Sequence, residues 1–385
     1  MRIALAYPDV GETTSLGRET LLIAKTLGDA GIEVHTYQRP GPDRDGMIQH
    51  PVGGAAPVTS RVGGAIALGR WAGAASRAIS RDRARYDVVC AVGTAEWEHD
   101  LVRVHAVIRA EQRRWPTRGG RRFRAARSRA ALAPLLRPQI AVERAIQRRQ
   151  FQPTRFRRAL AVTQEVADDL TDQFGTDPSL IDVIPCLIDY DRFAAVTKGR
   201  EELAISPRRE LLFVGNDFGR KGLAVAIDAL NELAPDVQLV VVGGDDPEPF
   251  RRQAAKLGLL ERVDFKGATT SPETFFADAA ALVLPTTEDV WGMVLVEAMA
   301  AGVPVIASSS AGANEFVKDS RAGIVTDDLD PRTLARAVEQ VLVDPSRAAA
   351  MGAAGRRAAA AFNRASIDGL VRAFEPPNAT AGADG

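Results

Sequence analysis

Residues 281–306 read ALVLPTTEDVWGMVLVEAMAAGVPVI. Ala281 to Leu284 is a short apolar run closed by Pro285, the pattern of a buried strand. The polar loop Thr286 to Asp289 leads through Gly292 into a helix over about Met293 to Ala301. Gly302 stands where a helix C-cap belongs, and Pro304 stops any continuation. Val303 to Ala307 reads as the next strand. Strand, loop, helix and strand in this order form the repeating unit of a parallel α/β sheet. The loop enters a helix N-terminus, whose free N–H groups and dipole suit an anion. Two carboxylates, Asp289 before the helix and Glu297 within it, lie eight positions apart.

Outward from this stretch the α/β alternation continues. Leu211 to Gly215 predicts a strand, Asn216 to Gly222 a loop and Leu223 to Leu233 a helix. Gln238 to Val242 is a strand closed by Gly243-Gly244. A helix over Pro249 to Leu257, a short strand at Val263 to Phe265 and a helix over Pro272 to Ala279 lead back to residue 281. Downstream lie a helix beginning near Asn314, a last strand at Gly323 to Val325, and two helices rich in Ala and Arg over 331–363.

The N-terminal half repeats the theme. Strands are expected at 2–7, 31–37, Tyr86 to Ala91, Leu101 to His105, Ala159 to Thr163 and Ile181 to Pro185, with helices over Arg18 to Asp29, Val62 to Arg81 and 164–174. A strand, a glycine loop and a helix at the start are the doubly wound signature. Gly11 and Gly17 are six apart, so the Gly-x-Gly-x-x-Gly dinucleotide fingerprint is absent, which argues against a nicotinamide dehydrogenase. Residues 42–60, rich in Gly and Pro, predict a long loop. His105 ends its strand at the carboxyl edge, where ligands gather in open α/β sheets.

The 385 residues suffice for two domains, and 49 basic residues balance 49 acidic ones, so no global charge argues for nucleic acid. Two cysteines, Cys90 and Cys186, make a disulfide framework or a cysteine metal site an unlikely design. The chain starts directly in a strand and carries no apolar run of membrane-spanning length; a cytoplasmic enzyme is the expectation. One segment departs from charge balance. Arg103 to Arg158 holds seventeen arginines against Glu111 and Glu143, with Trp115 and Phe123 interleaved. It reads as a solvated helical face, or as attraction to an anionic membrane surface at the inner face or to a phosphorylated acceptor; RNA binding comes third, with no recognised fold or aromatic motif behind it.

Glu297-Ala-Met-Ala-Ala-Gly-Val-Pro-Val-Ile306, preceded by Asp289, resembles the signature of the family-4 retaining glycosyltransferases of the GT-B fold, the glycosyl transferases of group 1. The family's first glutamate is Asp289 here, one methylene shorter. Residues 181–193 resemble the family's crossover between domains, with Pro185, Asp189 and Phe193 matching and Cys186-Leu187 replacing Asn-Gly. The resemblance is close over 209–363 and looser over 1–190. It implies an α/β, GT-B architecture of two Rossmann-like doubly wound domains facing a cleft. These are an acceptor-binding domain over 1–190 and a nucleotide-sugar-binding domain over 191–365. A terminal helix at about 366–375 crosses back onto the first, and 376–385 form a disordered tail.

The resemblance also implies roles. Lys221 is the phosphate lysine, with Arg220 beside it. Asp289 meets donor-sugar hydroxyls, His105 faces the transferred sugar, and Glu297 accepts hydrogen bonds from ribose hydroxyls. The backbone at Gly292, Met293 and Val294 meets the sugar and phosphates. Gly243 and Gly17 allow close approach of the donor, although turn chemistry accounts for Gly17 equally well. The base lies near Val263 to Gly267, which includes Lys266. Catalysis must stabilise charge developing on the leaving diphosphate, a task for preorganised cations and N–H groups. The expectation is metal-independent, retaining transfer from a UDP, GDP or ADP sugar to a carbohydrate, lipid-linked or small-molecule acceptor, with no cofactor. A GT-B epimerase and a non-catalytic nucleotide-sugar-binding protein are the alternatives.

Overall fold

The computed structural model describes residues 1–12, 14–53, 61–108, 138–152, 155–196 and 209–375. The chain divides into two compact units, one of Met1–Leu187 with the chain from Ala365 onward, the other of Ile188–Arg364.

The first unit is built on seven parallel strands: β1 (Arg2–Ala6), β2 (Glu33–Gln38), β3 (Ile48–Pro51), β4 (Val88–Val92), β5 (Leu101–Val104), β6 (Arg158–Ala161) and β7 (Ile181–Val183), in the spatial order 3-2-1-4-5-6-7. The helices are α1 (Ser15–Asp29), α2 (Arg61–Asp82), α3 (Pro138–Gln150) and α4 (Gln164–Phe174). Alternation along β1 assigns its two faces. Ile3 and Leu5 pack with Ile23 and Leu27 of α1, while Ala4 and Ala6 leave room for Tyr37, Trp71 and Ile79 on the other side. Thr14 caps α1 by accepting from the Gly17 N–H at 3.0 Å.

The second unit begins at α5 (Tyr190–Ala195). It holds six parallel strands: β8 (Glu210–Val214), β9 (Gln238–Val242), β10 (Val263–Gly267), β11 (Ala279–Leu284), β12 (Val305–Ser308) and β13 (Gly323–Thr326), in the order 10-9-8-11-12-13. Its further helices are α6 (Leu223–Leu230), α7 (Glu248–Lys256), α8 (Met293–Ala300), α9 (Asn314–Ser320), α10 (Pro331–Leu342) and α11 (Pro345–Phe374). Renumbered from its own first strand, this order is 3-2-1-4-5-6, and the first unit starts the same way. Each sheet therefore reverses direction once, between β1 and β4 and between β8 and β11. The carboxyl ends of those strand pairs are where such folds take ligands.

Three expectations need correction. The loop over 42–60 contains β3, a four-residue edge strand whose polar sequence shows no alternation; pairing with β2 makes it a strand. The helix over 272–279 is a single 3₁₀ stretch, Pro272–Phe276, because the chain must become extended again by Ala279. No break precedes Ser366: one 30-residue helix, α11, runs from Pro345 to Phe374, since nothing between Phe362 and Ser366 breaks a helix. Its last turns bury Leu370 and Phe374 in the core of the first unit. Among the described residues no helix is long and apolar enough to cross a membrane.

Candidate active site

In the second unit the site is made by three loops at carboxyl ends of strands. The loop after β8 returns toward its own strand: Asp217 takes a left-handed φ of 59°, and the Lys221 N–H donates to the Asp217 carbonyl at 3.0 Å. The loop after β9 braces it, with Gly244 N–H on Asn216 Oδ1 at 2.7 Å and Phe218 N–H on Asp245 Oδ2 at 2.9 Å. A Cβ on Gly243 would sit 2.2 Å from the Gly215 carbonyl oxygen, so packing of these two loops already requires glycine there. Gly222 is similarly constrained, at φ +83° with a hypothetical Cβ 1.9 Å from the Pro285 carbonyl.

That contact joins the lysine loop to the loop after β11. The Arg220 carbonyl accepts from Thr286 Oγ1 and Thr287 Oγ1, each at 3.0 Å, and from the Thr287 N–H at 2.9 Å. Ser308 Oγ holds the Thr286 carbonyl at 2.6 Å. Asp289 is strapped from the other side by β12's loop: its N–H donates to the Ser310 carbonyl at 3.2 Å and its carbonyl accepts from Gly312 at 2.8 Å. The result is a direct ion pair between Lys221 Nζ and Asp289 Oδ2, with the side chains 13% and 14% exposed. Immediately beyond, Gly292 at φ +81° starts α8 without a side-chain cap. The first-turn N–H groups of Met293 and Val294 are thus left to an outside acceptor. Glu297, one turn on, is 5% exposed, and Glu288 in the loop is 6% exposed.

Arg220 and Lys266 both make ion pairs of their own. Arg220 turns into its own loop, with Nε on Asp217 Oδ2 at 2.9 Å and Nη1 on the Glu288 carbonyl at 2.6 Å. It acts as a clasp between the two loops. Lys266 lies on the edge strand β10 and pairs with Asp264 at 2.6 Å. This edge strand is the stretch expected to meet the base.

In the first unit, Gly17 sits where a Cβ would lie 2.4 Å from the Asp9 carbonyl and 2.7 Å from that of Gly11, so the turn itself requires glycine. His105, just past β5, meets a residue that the sequence reading did not select. Its Nε2 contacts Oε2 of Glu19, which is fully buried on α1. Arg103 Nε and Nη2 donate to Glu19 Oε1 at 3.2 and 2.6 Å, and the guanidinium also holds the carbonyls of Ile184 and Pro185. Burial by itself would raise the Glu19 carboxyl, but the charges of Arg103 and His105 outweigh it and hold the group well below the usual carboxylate range. Burial also opposes the Arg103 charge, yet Glu19 keeps that guanidinium above its ordinary value. An ionised carboxylate only accepts, so His105 Nε2 is protonated and donates to Glu19, leaving Nδ1 as the ring's other nitrogen. That Nδ1 is buried and has no hydrogen-bond partner.

Glu19, His105 and Cys186 bring their ligand-type atoms within 4.8 Å of one another, the one such group among the described residues. One oxygen of Glu19 is already held by Arg103. Cys90, by contrast, is an inert thiol pushed up to about 12 by burial.

Arg103 also corrects the reading of the Arg-rich segment. It is 1% exposed and structural. Other arginines of the segment find acids that are remote in sequence, Arg158 with Asp182 and Arg155 with Glu98 at 3.7 Å. Arg109 to Arg137, with Trp115 and Phe123, lie outside the described residues.

Two parallel-sheet units carrying a lysine–aspartate pair beside a helix N-terminus define a GT-B glycosyltransferase architecture. Residues 197–358 match the glycosyl transferases of group 1, and residues 17–192 match glycosyltransferase family 4. It is 31% identical over 231 residues to a D-inositol 3-phosphate glycosyltransferase of Segniliparus rotundus, covering 56% of this chain and 51% of that one. It is 38% identical over 200 residues to a GDP-mannose-dependent alpha-(1-6)-phosphatidylinositol monomannoside mannosyltransferase of Mycolicibacterium smegmatis, covering 48% of this chain and 52% of the relative. The chain thus spans about half the length of the curated relatives it matches. Among solved structures, WaaG, a glycosyltransferase involved in lipopolysaccharide biosynthesis, shares the fold with a TM-score of 0.77 at 21% identity, covering 98% of this chain and all of that one.

Proposed function

We propose that this protein transfers a glycosyl group from a nucleoside-diphosphate sugar to an acceptor hydroxyl, with retention of configuration and without a metal ion. The observation that carries the reading is the Lys221–Asp289 pair, held at the β8/β11 switch point beside the uncapped start of α8. A diphosphate brings more negative charge to Lys221 than one carboxylate does. It therefore displaces Asp289 from the ammonium and leaves the carboxylate to accept from hydroxyls of the donor sugar. Lys221 and the N–H groups of Met293 and Val294 then stabilise the charge that grows on the leaving diphosphate. Glu297 takes the ribose hydroxyls. His105 faces the transferred sugar, and Glu19 fixes the orientation of its ring.

Guanosine diphosphate is the first donor base to test, because the mannosyltransferase relative is named for GDP-mannose. The experiment is a thermal-shift screen against GDP, UDP and ADP, each with magnesium and with a chelator. A ligand at 100 times its Kd stabilises the folded state by about 2.7 kcal/mol. One nucleotide giving a chelator-insensitive shift that is lost in Lys221→Ala supports the reading, and NMR of the product's anomeric proton then tests retention. A shift with none of the three overturns it.

A further inference from the structure

The position beside Lys221 is filled by an anion of the chain's own. The Lys221 stem runs along Gly215, where a Cβ would lie 3.4 Å from Lys221 Cε, and its ammonium meets Asp289 Oδ2. The same Oδ2 lies over the start of α8, 3.7 Å from where a Cβ on Gly292 would stand. The carboxylate thus stands between the lysine and the first turn of the helix, where an incoming anion is drawn. It does not cap that helix.

Asp289 is fixed in this place by its backbone. Its N–H donates to the Ser310 carbonyl at 3.2 Å, its carbonyl accepts from Gly312 at 2.8 Å, and it bridges to Ala311. The residue before it is held from the other side, where Arg220 Nη1 donates to the Glu288 carbonyl at 2.6 Å. Rotation of a short side chain is the movement left to the carboxylate. It therefore stays a near neighbour of whatever replaces it on Lys221.

Resting on the transferase reading above, we infer that Asp289 is a selectivity residue, which disfavours the spent nucleoside diphosphate more than the intact sugar donor. Both ligands part the ion pair, because both place a diphosphate on Lys221. They differ in what becomes of the carboxylate. An ionised carboxylate only accepts, and the hydroxyls of a donor sugar offer it charge-assisted hydrogen bonds. The spent diphosphate lacks those hydroxyls. Its terminal phosphate, no longer esterified, also carries more negative charge toward the same carboxylate. Like charges brought together in this way are costly. After transfer the same repulsion favours departure of the product.

Isothermal titration calorimetry on the full chain, without acceptor, tests this by comparing GDP with GDP-mannose and UDP with UDP-glucose. The wild type is set against Asp289→Asn, which keeps the shape of the side chain and removes its charge. For the pair that binds, the diphosphate should bind the variant about tenfold more tightly, the scale of relieving one like-charge contact. The sugar donor should gain less than about threefold, or weaken, because it loses a charged acceptor for its hydroxyls. Tightening of both ligands by the same factor overturns the inference, since release of Lys221 alone would do that. So does a diphosphate affinity that is unchanged or lower. Failure of all four ligands to bind the wild type overturns the transferase reading, and this inference with it. A melting temperature close to that of the wild type shows that the variant is folded. If it is not, Asp289→Ser takes its place in the same comparison.

Discussion

Each unit of this molecule carries an ion pair near the carboxyl ends of its strands, and the two are built oppositely. In the first unit Glu19 and Arg103 are 0% and 1% exposed, and each charge is saturated by further partners. In the second, Lys221 and Asp289 remain 13% and 14% exposed at the mouth of their loops. A buried pair contributes little net stability compared with an apolar replacement, but breaking it leaves a charge stranded. A partly exposed pair is cheap to open. The first pair is therefore scaffold, orienting a histidine ring, and the second is a pair that a ligand can part.

The largest expected effect breaks the buried pair. Glu19→Ala strands Arg103 and should lower the unfolding free energy by about 3–5 kcal/mol, read from urea denaturation; a loss below about 1 kcal/mol would place the scaffold role elsewhere. Lys221→Ala should show the mirror image. Its kcat should fall by about 10²–10³, the typical loss for one preorganised charge-stabilising donor, while its melting temperature barely moves. Comparable losses of stability in both variants would erase the contrast between the pairs. Glu297→Ala should weaken nucleoside-diphosphate binding about tenfold, equivalent to about 1.4 kcal/mol. Unchanged affinity by calorimetry would remove Glu297 from the site.

The pH dependence sharpens the same contrast with a smaller effect. The Glu19 carboxyl is depressed in the folded state, so its contribution is fully present above the unfolded value of 4.5 and is lost as pH falls below it. His50 is depressed as well, by burial and by the neighbouring His35. Its neutral form is favoured by folding, and the associated stability declines as pH drops below 6.5. Denaturation midpoints measured from pH 7 down to about 2 should fall in two stages, the lower one, below 4.5, absent in Glu19→Gln. A single step that survives in Glu19→Gln would show that Glu19 is not the acid-labile group.

Much of the second unit was legible because its candidate site sits in local patterns. The run from Ala281 to Ile306 announces strand, loop, helix and strand, and Lys221 and Asp289 lie in loops whose glycines mark them. The first unit's network was less visible. Glu19 occupies the stripe Glu19, Ile23, Leu27, where helical spacing reserves a position for an apolar residue, and Arg103 interrupts the apolar strand Leu101–Val104. Both were readable as charges in buried positions. Arg103 was instead grouped with its arginine-rich neighbours, because sequence proximity groups it there and only the sheet separates it from them. Arg220 shows the same limit: adjacent to Lys221 in the chain, it faces Asp217 and the Glu288 carbonyl instead of the lysine's side of the loop.

By itself the sequence determined two α/β halves, the strand–loop–helix unit that places Asp289 before α8, and the family that those residues match. These follow from periodicity and turn chemistry over a few residues, and such local preferences need no distant partner. Only the tertiary structure decided that Glu19 completes His105, that Arg220 is a clasp and that β3 is a strand. Each of these depends on contacts between segments far apart in the chain, where burial and charge pairing, not local propensity, set the outcome.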